Sequence, residues 1–87
     1  MVYFNEKEYI YEKIEDASAI FKVATQDVFL LNVTSDYIMT EFLEQKNIEQ
    51  ITNEYWNNNP QINYDIIYRD FIDTRNTLFE KGILYEH

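Results

Sequence analysis

The apolar positions of this chain change rhythm near residue 35. Before it they come in short runs or in partial alternation, and after it they recur at helical spacing. Tyr9-Ile10-Tyr11-Glu12-Lys13-Ile14 alternates in part, with Ile10 and Ile14 on one face. Ala19-Ile20-Phe21-Lys22-Val23-Ala24 is a second strand pattern. Val28-Phe29-Leu30-Leu31 is an unbroken apolar run of strand length, which predicts a buried strand. Thr25-Gln26-Asp27 separates the last two at hairpin length, and Glu15-Asp16-Ala17-Ser18 forms the other turn. Residues 2–4 have room for a short additional strand. Asn32 stops the third run, and Thr34 or Ser35 is expected to cap a helix that begins at about Asp36.

The helical part carries its own boundary signals. Ile38, Met39, Phe42 and Leu43 make one apolar stripe. Asn47 followed by Gln50 resembles a capping box, with Ile48, Ile51 and Tyr55 on the face to be buried and Trp56 beside them. Asn57-Asn58-Asn59-Pro60 ends that helix. Asn63 caps a third, Asp65 favours the positive end of its dipole, and Ile67, Phe71, Thr74 and Leu78 follow at helical spacing. Gly82 suits the left-handed position that terminates a helix. The order β-β-β-α-α-α predicts an α+β fold of winged helix-turn-helix type, a three-stranded antiparallel sheet followed by three helices.

Composition narrows the function. A chain of 87 residues is expected to form one domain, over 1–87, with a thin core to which eight Tyr and six Phe contribute. There is no Cys, hence neither disulfide framework nor thiolate metal site. The first residues lack a signal-peptide pattern and no apolar run reaches membrane-spanning length, so the expected location is the cytoplasm. The net charge of −9 is spread along the chain and would repel a phosphate backbone. DNA binding of the winged-helix kind would need a basic recognition helix, and the last helix here is net negative. An alternative that the charge favours is a small acidic inhibitor mimicking nucleic acid on a basic protein partner.

The inventory of reactive groups points away from an enzyme. A single glycine excludes phosphate-binding loops and nucleophile elbows. His87 is the single histidine and the last residue, a poor place for catalysis or metal binding. Asp70 and Asp73 share a helix face, but no second ligand cluster accompanies them, so a solvated face is the preferred reading, with Arg69 beside Asp70. Glu41 and Glu44 are read the same way. No catalytic residue, metal ligand or cofactor is expected. Binding by shape and by backbone remains.

The segment Leu31-Asn32-Val33-Thr34-Ser35…Ile38-Met39…Phe42 resembles the "L-N-x-T-G/A…I-W…L" signature of PqqD-like proteins, also called RiPP recognition elements. Asn47-Ile48-Glu49-Gln50-Ile51 is similar to that family's "T-V-x-E-I" helix start, and Asp70-Phe71…Leu78…Gly82-Ile83-Leu84 to its closing "D-V…L…G-L-L". The spacing agrees over about residues 9–85. Ser35, Glu41 and Arg75 depart from the family's usual small or apolar residues. The resemblance implies a standalone domain that binds the leader segment of a ribosomally made precursor peptide and acts in trans. The leader would add as a strand to the edge formed by Val28, Phe29, Leu30 and Leu31, in the groove against the last helix. Asp70, Asp73, Thr74, Arg75 and Thr77 would read leader side chains, the acidic pair favouring a basic residue. The implied partners are the precursor peptide and a modifying enzyme such as a radical-SAM, cyclodehydratase or lasso-type maturation protein, with neither nucleic acid nor membrane involved.

Overall fold

The computed structural model describes residues 1–87. In chain order its elements are β1 (Val2–Phe4), β2 (Tyr9–Ile14), β3 (Ala17–Lys22), β4 (Val28–Leu31), α1 (Val33–Leu43), α2 (Ile48–Asn58), α3 (Tyr64–Glu80) and β5 (Leu84–Glu86). The expected three strands and three helices are present as an α+β fold. Strands β2, β3 and β4 form an antiparallel sheet in that order. The short strand expected at 2–4 exists, but it joins a separate two-stranded sheet with β5, which the sequence patterns did not indicate.

The turns work with little glycine. Glu15 and Gln26 take positive φ, +56° and +62°, in the two hairpin connections, and Gln45 takes +69° between α1 and α2. β3 begins at Ala17, so the first connection is tighter than the expected four residues. Gln45 is fastened to β1: Val2 N–H donates to its Oε1 and its Nε2 donates to Val2 O, both at 2.8 Å.

The helix caps agree with the sequence at two sites and differ at one. Asn47 Oδ1 accepts from Gln50 N–H while Gln50 Oε1 accepts from Asn47 N–H, a complete capping box. Asn63 Oδ1 accepts from Asp65 N–H at 2.9 Å. For α1 the cap is Asn32, whose Oδ1 accepts from Ser35 N–H at 2.7 Å, so the helix begins at Val33 and not near Asp36. Thr34 and Ser35 lie inside the first turn. Asn32 thus ends the strand and opens the helix with one side chain, which leaves no loop between β4 and α1.

The core is shared by one face of the sheet and all three helices. Tyr9 and Ile20 from the sheet meet Ile38, Met39, Phe42, Ile51, Ile67, Phe71 and Leu78 from the helices, closed by Ile83 and Leu84. Thr52 is also fully buried, its hydroxyl donating to Ile48 O, whereas Ile48 and Tyr55 are only half-buried. Tyr37, Tyr55 and Phe71 join the three helices, with ring centroids 5.3 to 6.2 Å apart. The expected stripe of Ile10 and Ile14 does share a face, but it is the outer one. Tyr9 and Tyr11 point inward instead, and Tyr11 donates its hydroxyl to Asp36 at 2.6 Å, linking β2 to the start of α1.

One expectation about charge is overturned here. Glu41 is not a solvated helix position. Its Oε2, which has no other hydrogen-bond partner, lies 2.7 Å from Lys46 Nζ, and its side chain is only 16% exposed. Lys46 also reaches Glu54 at 3.0 Å and Glu44 at 3.6 Å, tying α1 to α2. Its contacts with Glu41 and then Glu54 raise its pKa above the usual lysine value. Burial raises the pKa of nearby Tyr37, and the Glu41 and Glu54 carboxylates add to the shift.

Candidate functional site

β4 is one of the two edges of the β2-β3-β4 sheet, and it is the edge that borders a groove. Two hydrogen bonds fix which backbone groups are spare. Lys22 N–H donates to Asp27 O at 2.8 Å, and Val23 N–H donates to Glu8 O at 2.9 Å. Along β3, even-numbered residues therefore turn their backbone groups toward β4 and odd-numbered ones toward β2. The register pairs Ile20 with Phe29 and Ser18 with Leu31, so Phe29 and Leu31 bond inward to β3. The N–H and C=O of Val28 and Leu30 face away from the sheet, without a partner strand.

Side chains on β4 divide by the same alternation. Phe29 and Leu31 are half-buried and pack against the core. Val28 and Leu30 are 50% and 79% exposed, so the run is not the fully buried strand its apolar character predicts. The outer sheet face has no layer over it. Ile10 and Ile14 share that face and are exposed too, an apolar surface that one chain leaves open.

A groove of about 480 Å³ lies along this edge. One wall is Val28, Phe29, Leu30 and Leu31. The other is the α3 face made by Asp73, Thr74 and Thr77, with Leu78 and Ile83 at the floor and Ser35 and Lys81 also lining it. Seven of the nine residues expected from the sequence therefore come together. Asp70 and Arg75 do not line the groove. At about 100° of rotation per residue, Arg75 falls on the side of α3 opposite Thr77. It stacks over Phe79, 5.6 Å from the ring centroid, and faces a second cleft beside Met1, Val2 and Lys46. Asp70 is on the Thr77 face but one turn beyond the groove's end, exposed and without an ion-pair partner.

The threonines offer less polarity than their type suggests. Thr74 Oγ1 donates to Asp70 O at 2.9 Å and Thr77 Oγ1 to Asp73 O at 3.0 Å. Each hydroxyl proton is used within the helix, which leaves methyl surface and acceptor lone pairs toward the groove.

Lys81 is the residue that sequence patterns missed. It is the C-cap of α3, and its Nζ lies 4.6 Å from the centroid of Phe29. Its backbone is held from the sheet side, since Tyr9 donates its hydroxyl to Lys81 O at 2.6 Å. The following residue, Gly82, takes φ +74°, and its carbonyl accepts from Asn5 Nδ2 at 2.9 Å. A lysine just before the glycine that ends the helix is the one sequence signal available, and it does not say which groove the side chain enters. No three His, Asp or Glu side chains gather as metal ligands, and no helix is long and apolar enough to cross a membrane.

The edge strand thus has spare backbone groups beside a partly apolar groove, which leaves room for an added strand. Solved structures share the whole fold. TbiB1, determined in complex with the TbiA(beta) leader peptide, is 19% identical with a TM-score of 0.75, over 97% of this chain and 95% of that one. A lasso peptide synthetase B1, complexed with the leader peptide, is 13% identical with a TM-score of 0.81, over 98% of both chains. At this identity the likeness is one of fold. No protein-family model matches the sequence, and no curated protein matches it.

Proposed function

We propose that this protein is a RiPP recognition element of the PqqD-like type. In this reading it binds the leader of a precursor peptide as a fourth strand on β4 and presents it to a separate modifying enzyme. The observation that carries the reading is the pair of free backbone positions, Val28 and Leu30, at the rim of the groove. A strand added there gains main-chain hydrogen bonds at both residues, while its alternate side chains enter the groove against α3. The shared fold of two proteins solved with leader peptides supports the reading. It also favours a lasso-type maturation enzyme over a radical-SAM enzyme or a cyclodehydratase as the partner. The function is binding and not catalysis: affinity comes from backbone pairing and groove contacts, and the chemistry belongs to the enzyme.

Amide hydrogen exchange tests this residue by residue. In the free protein Phe29 and Leu31 amides are protected by β3, and those of Val28 and Leu30 exchange quickly. Adding a synthetic leader, taken from a precursor gene next to this one, slows Val28 and Leu30 together. At a free peptide concentration 100 times Kd the slowing approaches about 100-fold, corresponding to about 2.7 kcal/mol. Binding without any slowing at these two amides would remove strand addition from the proposal.

A further inference from the structure

The groove carries two charges of opposite sign, one at each end, and each lacks an ion-pair partner. Asp73 and Lys81 are the charged residues that line it. Neither belongs to any of the protein's ion pairs, which are made by Lys13 with Asp36 and by Lys46 with three glutamates. This departs from the acidic character expected of the site, since the second acidic residue, Asp70, lies outside the groove and a lysine lies within it. Building on the leader-binding reading, we infer that the groove selects a peptide strand with a basic residue four positions before an acidic one.

The spacing follows from the helix. Asp73 and Lys81 are eight residues apart on α3, about 12 Å along its axis. An extended strand rises about 3.3 Å per residue and presents every second side chain to one face. Four residues span about 13 Å and return to the same face, whereas two span only about half the distance. The residue between them, two positions from each charge, meets the methyl surface of Thr74 and Thr77 and the apolar floor of Leu78, so it is apolar.

The order of the charges follows from the direction of the elements. Lys81 lies over Phe29 in β4. Phe71, half a turn before Asp73, lies against Tyr37, which follows the end of β4. Helix α3 thus runs back along β4, with Asp73 at the Leu31 end and Lys81 at the Val28 end. A strand antiparallel to β4 continues the pattern of this sheet and makes perpendicular hydrogen bonds, the slightly more stable arrangement. Such a strand enters at Leu31 and leaves at Val28, and so meets Asp73 first and Lys81 second. Both side chains are exposed, so each pair adds about a two- to fivefold preference, and the two together about tenfold.

A displayed library of random twelve-residue peptides, selected on the wild-type protein and on the charge-swapped Asp73→Lys/Lys81→Glu variant, tests the inference. Wild type is expected to enrich Lys or Arg four positions before Asp or Glu, and the swapped protein the reverse order. Asp70→Lys, outside the groove, keeps the wild-type preference. Thermal melts of the variants accompany the selection, because both positions are exposed and the fold should be unaffected. If both proteins enrich the same peptides, or no order of charge emerges, while the selected peptides still protect the Val28 and Leu30 amides, the charge rule is wrong and strand addition stands. If the selected peptides leave those amides unprotected, both are wrong.

Discussion

Replacing Gly82 with Ala isolates the conformation that closes α3 and sets one end of the groove. Helix α3 ends in a Schellman motif: Gly82 N–H donates to Phe79 O and Ile83 N–H to Leu78 O, both at 3.0 Å. The motif requires the left-handed backbone that Gly82 adopts, φ +74°. A Cβ at this position meets no heavy atom within 4 Å, so the substitution carries no clash. What remains is the left-handed conformation itself, about 1–2 kcal/mol for a residue with a side chain. Against it stands the stiffer unfolded chain of Ala, which offsets about 0.4–1 kcal/mol. The net expectation is a loss of about 1 kcal/mol, or about 4–8 °C in Tm for a domain of this size. Urea denaturation should show a lower midpoint with an unchanged slope. Gly82→Asn should recover about half of the loss, because Asn tolerates this region. A Gly82→Ala protein as stable as wild type would refute the reasoning. So would a loss above about 3 kcal/mol, which would mean that the Cβ meets packed atoms.

Other expectations follow from single contacts. Asn32→Ala should cost about 1 kcal/mol and Thr34→Ala less than about 0.5, read by chemical denaturation; the opposite ranking would return the cap to Thr34. Arg75→Ala and Asp70→Ala should leave leader affinity within about twofold in a fluorescence titration, since exposed charges outside a contact contribute little, whereas a drop of tenfold or more would put them back in the site. Stability should fall as pH rises above about 10. Lys46 and Tyr37 both have raised pKa values in the folded protein, so above the unfolded values the folded state holds more protons, and their contribution, complete below about pH 10, is lost as pH passes the folded values. Denaturation midpoints at pH 8 and pH 11 check the sign, and Tyr37→Phe should lessen the difference; an equal difference in wild type and variant assigns the effect elsewhere.

What the sequence determined by itself is the set of features written in neighbouring residues. The capping box at Asn47 and Gln50, the Asn63 cap and the Gly82 terminus are chemistry within three or four positions, so they can be read without knowing the fold. The element order and the strand at Val28–Leu31 were legible for the same reason, and with them the resemblance that points to leader binding. The cap at Asn32 was misassigned because Asn32, Thr34 and Ser35 all carry a capping oxygen, and only the backbone path out of β4 selects one. Burial was misread at β4, where an apolar run does not say that only one face is covered, and so Val28 and Leu30 proved exposed; in β2 the shared face of Ile10 and Ile14 was legible, but not that it is the outer one. The pairing of β1 with β5 joins residues at least 80 positions apart, and no local pattern encodes it. The face of α3 that lines the groove was likewise decided by tertiary structure. Helical periodicity fixes the angles between Asp70, Asp73, Arg75 and Lys81, but not the rotation of the helix against β4 or where the groove ends. That rotation is set by Phe71 and Leu78 seating in the core. It turns Arg75 away, leaves Asp70 a turn beyond the edge, and brings Lys81 over Phe29.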